Sequence, residues 1–65
     1  MTPETLAALL LESELDLEHQ RSKLLRLVLS VDDAATADCI GDAVEALVTS
    51  GMLLAKARNL AMEAK

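Results

Sequence analysis

Residues 40–60 read IGDAVEALVTSGMLLAKARNL, an apolar stretch too broad for a helix that buries a single stripe. Ile40, Leu47 and Leu54 recur every seven residues, and Ala61 continues the series. Ala43, Ser50, Ala57 and Ala64 stand three residues after each, which makes an a/d seam of large residues against small ones. Cys39, Ala46, Leu53 and Leu60 flank the seam on one side, and Val44 and Val48 flank it on the other. Asp38, Asp42, Glu45, Thr49, Lys56, Asn59 and Glu63 take the remaining face. Such a helix needs cover on more than one side. Gly41 and Ser50-Gly51 are its weak points, where it can kink or admit a neighbouring backbone.

The cover has to come from the preceding residues. Thr2-Pro3-Glu4 is a helix start: a capping hydroxyl, a proline suited to the first helical position and an acid at the positive dipole end. No breaker follows before Leu29. Leu10, Leu17, Leu24 and Val31 recur every seven residues, with Leu6, Ser13, Gln20 and Leu27 as the expected second row. Leu11, Leu15, Leu25 and Leu29 form a further apolar set that one partner helix cannot also cover. The break falls at Ser30-Val31-Asp32-Asp33, where Ser30 or Asp32 is the expected cap. The spacing therefore predicts one domain over residues 1–65. Its first helix covers about 3–29, its turn about 30–32 and its second helix about 33–64. Three helices with a break near Gly41 are the alternative layout.

Charge orders the two helices. Glu4, Glu12, Glu14, Asp16 and Glu18 precede Arg21, Lys23 and Arg26 in the first. Asp32, Asp33, Asp38, Asp42 and Glu45 precede Lys56, Arg58 and Lys65 in the second. Each helix thus suits its own dipole, and an antiparallel hairpin sets acids beside bases at both ends. Exposed pairs of this kind are worth about 0–1 kcal/mol, so they set orientation more than stability.

A 65-residue chain is marginal as an isolated monomer. One cysteine excludes an internal disulfide, and no His/Cys cluster suggests a structural zinc. Self-association is the remaining remedy, and a content of 52% hydrophobic residues supports it. The net charge of −5 disfavours nucleic acid and anionic membrane surfaces, and the absence of aromatics removes base-stacking platforms. The longest uncharged run, residues 46–55, is too short for a membrane span. A cytoplasmic protein is expected.

Few motifs carry chemistry. Glu12, Asp16 and His19 share a face, and Asp16 and His19 have the i, i+3 spacing of carboxylate-bridged metal sites. They lie in a polar helix middle, where a solvated face is the simpler reading. Cys39 flanks the apolar seam, and its neighbours Asp38 and Asp42 do not favour a thiolate, so a small buried apolar residue is expected. No catalytic residue, cofactor or metal is assigned.

The stretch from Val31-Asp32-Asp33 to Ala37-Asp38-Cys39-Ile40 is similar to the turn and second-helix start of the Rop-type hairpins, RNA-binding dimeric four-helix bundles. It covers about ten residues. The first helix departs from that family: it carries an acidic stretch and no aromatic where the family presents basic, amide and aromatic side chains. The resemblance therefore implies the fold and not RNA binding. In size and layout the chain also resembles the small co-chaperones of type III secretion, hairpins that support a larger partner.

The expectation is an all-α antiparallel hairpin, two copies of which pack into a four-helix bundle. It would act as a protein–protein interaction module without catalysis: an adaptor, regulator or co-chaperone. Ile40, Val44, Leu47, Val48, Leu53, Leu54 and Leu60 are the expected oligomer interface. Leu11, Leu15, Leu25 and Leu29 are the expected partner surface. An acidic mimic of nucleic acid and a metal-binding bundle are the alternative functions.

Overall fold

The computed structural model describes residues 1–63. It contains two helices, α1 (Pro3–Ser30) and α2 (Ala34–Glu63), folded against each other as a hairpin. Ala64, expected in the second seam, lies outside the described residues.

The helix ends follow from local chemistry. Thr2 has extended backbone, and its hydroxyl accepts a hydrogen bond from the Thr5 amide at 3.1 Å. That satisfies one of the amides a helix start leaves without a partner. At the other end of α1, the Ser30 hydroxyl donates to the Leu27 carbonyl at 2.9 Å, and the Val31 amide donates to the Val28 carbonyl at 3.3 Å. Val31, Asp32 and Asp33 form the turn. Among the described residues none has positive φ, which explains why no glycine marks this reversal.

The cap of α2 is Asp33 and not Ser30 or Asp32. Its carboxylate accepts from the Thr36 amide at 3.0 Å and from the Thr36 hydroxyl. Its carbonyl accepts from the Ala37 amide at 3.0 Å. The hydrogen bonds from Thr36 hold the Asp33 carboxyl below the usual carboxylate range.

α2 runs unbroken through both glycines, so the three-helix layout is excluded. A β-carbon at Gly41 or Gly51 would meet nothing within 4 Å. Neither glycine is there to let α1 approach.

The seam follows a strict alternation of four and three residues. On α1 the half-buried positions are Leu10, Glu14, Leu17, Arg21, Leu24 and Val28, with Ala7 buried. On α2 they include Ile40, Val44, Leu47, Gly51, Leu54, Arg58 and Ala61. The rows expected at Leu6, Ser13, Gln20 and Leu27, and at Ala43 and Ser50, are exposed instead, while Ala57 of the second row is half-buried. Counting three residues from a seven-residue series and counting four give the two opposite edges of that series, about 100° apart around the helix. The structure takes the fourth residue, and that choice brings Glu14 to Arg58.

Two helices make a rod one helix thick, 49 × 14 × 12 Å. The radius of gyration is 15.0 Å. A compact domain of this length has about 11 Å. Among the described residues Ala7 alone is buried, at 9% exposure. The expected single domain is thus a hairpin whose two broad faces are both uncovered.

Two outcomes follow. Gly41→Ala stabilises the fold by about 0.5–1 kcal/mol, measured by thermal unfolding, because it improves the helix and meets no neighbour. Because the Asp33 carboxyl is depressed in the folded state, its cap stabilises above the ordinary carboxylate range. That contribution is lost as pH falls through the depressed value. Asp33→Asn keeps the cap, so its midpoint falls less between neutral pH and pH about 3 than that of the wild type.

Candidate interaction surface

The seam is apolar at both ends and charged in the middle. Arg58 donates to Glu14 through Nε at 2.7 Å and through Nη2 at 3.3 Å. This is a two-point contact between a planar guanidinium and a carboxylate, the geometry in which such pairs are strongest. The Glu14 side chain is 16% exposed and that of Arg58 33%, so the contact lies between the helices and not out on the rim. The hydrogen bonds that Arg58 donates to Glu14, and then the Glu14 charge, hold the guanidinium above its ordinary value. An arginine is charged at any physiological pH, so this changes no charge state; the geometry is what matters. Of the charge pairing expected between the helices, this contact forms. The basic end of α1 and the acidic start of α2 make no ion pair among the described residues.

The contact ties the first half of α1 to the last third of α2. The missing side chain at Gly51 leaves a groove of about 450 Å³ beside Arg21. It is lined by Glu14, Leu17, Glu18 and Arg21 from α1 and by Leu47, Val48, Gly51, Met52 and Ala55 from α2. Arg21 reaches back to Glu18 at 3.7 Å, a loose pair on an accessible surface.

The groove shows which exposed residues share a face. Glu18 lines it, and Leu11 and Leu25 stand one heptad to either side of Glu18. Leu15 and Leu29 lie four residues beyond them, on the same side of α1. Val48, Met52 and Ala55 line it from α2, and Met62 stands one heptad past Ala55. This face carries seven of the large apolar side chains left exposed, among them Leu15 at 58% and Met52 at 70%. The opposite face carries Leu6, Leu9 and Leu27 from α1 and Leu53 and Leu60 from α2. Ala57 lies between these last two, with Cys39, Ala43, Ala46 and Ser50 before them in the chain.

The seven residues expected at an oligomer interface therefore do not form one surface. Ile40, Val44, Leu47 and Leu54 are half-buried in the seam with α1. Val48 is exposed on the groove face, and Leu53 and Leu60 are exposed on the opposite face. Val44 moves into the seam for the reason given above, since it stands four residues after Ile40. Leu11, Leu15, Leu25 and Leu29, expected as a separate partner surface, belong to the same face as Val48. Cys39 is exposed and unpaired where burial was expected. Glu12, Asp16 and His19 are all exposed, and no group of three or more metal-ligating side chains forms among the described residues.

Glu14, Arg21 and Arg58 were missed as seam residues. The signal was present, since Ala7, Glu14, Arg21 and Val28 also recur every seven residues. Their charge argued for solvent and concealed the repeat. No protein-family model, curated protein or solved structure matches this chain. Among the described residues no helix is long and apolar enough to cross a membrane.

Glu14→Leu alone leaves Arg58 unpaired between the helices and lowers the thermal midpoint. Adding Arg58→Leu restores the midpoint or raises it, because two apolar side chains then meet in the seam. The double variant loses the device that fixes helix register, and its amide NMR spectrum shows doubled or broadened peaks.

Proposed function

We propose that the hairpin is one half of a homodimeric four-helix bundle that serves as a non-catalytic protein–protein interaction module. The observation that carries this reading is the exposed surface. One chain presents 4790 Å² to solvent. A compact monomer of 6.9 kDa presents about 4000 Å². The excess of roughly 800 Å² is what one partner contributes to a standard protein interface. Among the described residues, besides Met1 and Met52, ten leucines and methionines and one valine within the two helices stand exposed on that surface.

The chemistry of the chain supports a scaffold over a catalyst. The groove is open and shallow, and its charged groups are engaged with one another: Glu14 with Arg58, and Arg21 with Glu18. The acidic outer edges, with a net charge of −5, keep an assembled bundle soluble and discourage contact with nucleic acid or anionic lipid. An exposed, unpaired Cys39 suits a reducing compartment such as the cytoplasm. A bundle of this kind acts as an adaptor, regulator or co-chaperone through the surface that remains after dimerisation.

Size-exclusion chromatography with light scattering tests the reading at micromolar concentration. The expected mass is about twice 6.9 kDa, and the helical signal melts at a temperature that rises with protein concentration. A mass near 6.9 kDa with a concentration-independent melt removes it.

A further inference from the structure

Resting on the interaction module proposed above, we infer that the groove face is its partner surface and that the occupant is a basic amphipathic helix of another protein.

Charge distinguishes the two faces of the rod. On the α1 side of the groove face, Glu18 lines the groove and Glu4 stands two heptads before it. On the α2 side, Met52 lines the groove, and Glu45 and Asp38 stand one and two heptads before it. Arg21 is the one base among the groove-lining residues, and Glu18 holds it loosely at 3.7 Å. Asp38 and Glu45 are exposed and make no ion pair among the described residues. Around its large apolar side chains this face therefore sets four acids against one base.

The opposite face has no such imbalance. Asp16 and Lys23, one and two heptads after Leu9, bring one charge of each sign. The α2 side, which runs through Ala43, Ala46, Ser50, Leu53 and Leu60, is uncharged. Arg26 and Lys56 lie on the outer rows between the faces, in heptad series that also hold Glu12 and Asp42. The Arg58 charge is matched by Glu14 inside the seam.

These charges select the occupant. A second copy laid on the groove face adds four more acids and one more base, whatever its orientation, so like charges are brought together. Nucleic acid and anionic lipid meet the same repulsion. Lysines and arginines flanking a leucine stripe complement the face instead, with the stripe on the groove and the cations on Asp38 and Glu45. A helix also suits the shape, because the hairpin is 49 Å long and a helix of about 20 residues spans about 30 Å. Met52, 70% exposed on the groove, is an unbranched side chain that adapts to the surface laid on it. The opposite face is left for the second copy of the proposed dimer, so both partners can be held at once.

A model peptide tests face and charge together. The probe is a fluorescent helix of about 18 residues built from leucine and lysine, with the leucines along one side; a leucine–glutamate helix of the same pattern is the control. At about 150 mM salt the lysine helix should bind and the glutamate helix should not. Glu45→Lys and Asp16→Lys make the same change of charge on opposite faces. Glu45→Lys should weaken binding about tenfold or more, and Asp16→Lys less than about threefold. Met52→Ala, which leaves the charge unchanged, should weaken it about threefold or more. Equal weakening by Glu45→Lys and Asp16→Lys shows general attraction to an acidic chain and overturns the inference. A dimeric wild type that does not bind the lysine helix also overturns it and leaves the proposed function standing. A peptide that binds by taking the dimer apart assigns the groove face to the second copy and overturns the inference too. Light scattering on the same samples reads the dimer independently, and a monomeric wild type overturns the proposed bundle.

Discussion

The contact between Glu14 and Arg58 decides at what height one helix stands against the other, and the rest of the molecule inherits that choice. Leucine and valine layers alone leave an antiparallel pair free to slip by a heptad, because each layer resembles the next. A charged layer matched at one height removes that freedom, since slippage would strand an arginine and a carboxylate between helices. Its effect on stability is secondary to its effect on register. The groove beside Arg21 and the grouping of Leu11, Leu15, Leu25 and Leu29 with Val48, Met52 and Met62 both depend on it.

The second constraint is the ratio of surface to volume. Two helices of 28 and 30 residues meet along one line and cover one stripe each. Thirteen large apolar side chains remain exposed in the single chain, and they are spread over both faces of the rod. Hydrophobic burial is the main favourable term in folding, and a rod 12 Å thick has few places to provide it. The proposed second layer of helices would supply the missing burial without lengthening the chain.

The sequence was most informative where a residue type had only one use. Thr2-Pro3-Glu4, the long helix-forming runs and the break after Ser30 all led to two helices and a short turn, which the structure contains. The every-seven series through Leu10, Leu17 and Leu24, and through Ile40, Leu47 and Leu54, was also legible, and these residues do meet. The companion rows were not. Ser13 and Glu14 are equally spaced candidates around Leu10, and an uncharged residue looks the safer choice for a seam. Only the partner helix resolves the choice, because Glu14 is acceptable there solely in the presence of Arg58, 44 positions away. The cap was misplaced for a related reason: Ser30, Asp32 and Asp33 all have capping side chains, and the position of Thr36 selects the last. The residues expected at an oligomer interface stand on three surfaces of the single chain, because the face of each depends on which row forms the seam.

Isotope-filtered NMR on a mixture of labelled and unlabelled chains tests the central claim most directly. The proposed bundle predicts contacts between chains among the methyl groups of the exposed leucines and methionines. A spectrum with no contact between chains at millimolar concentration would contradict it.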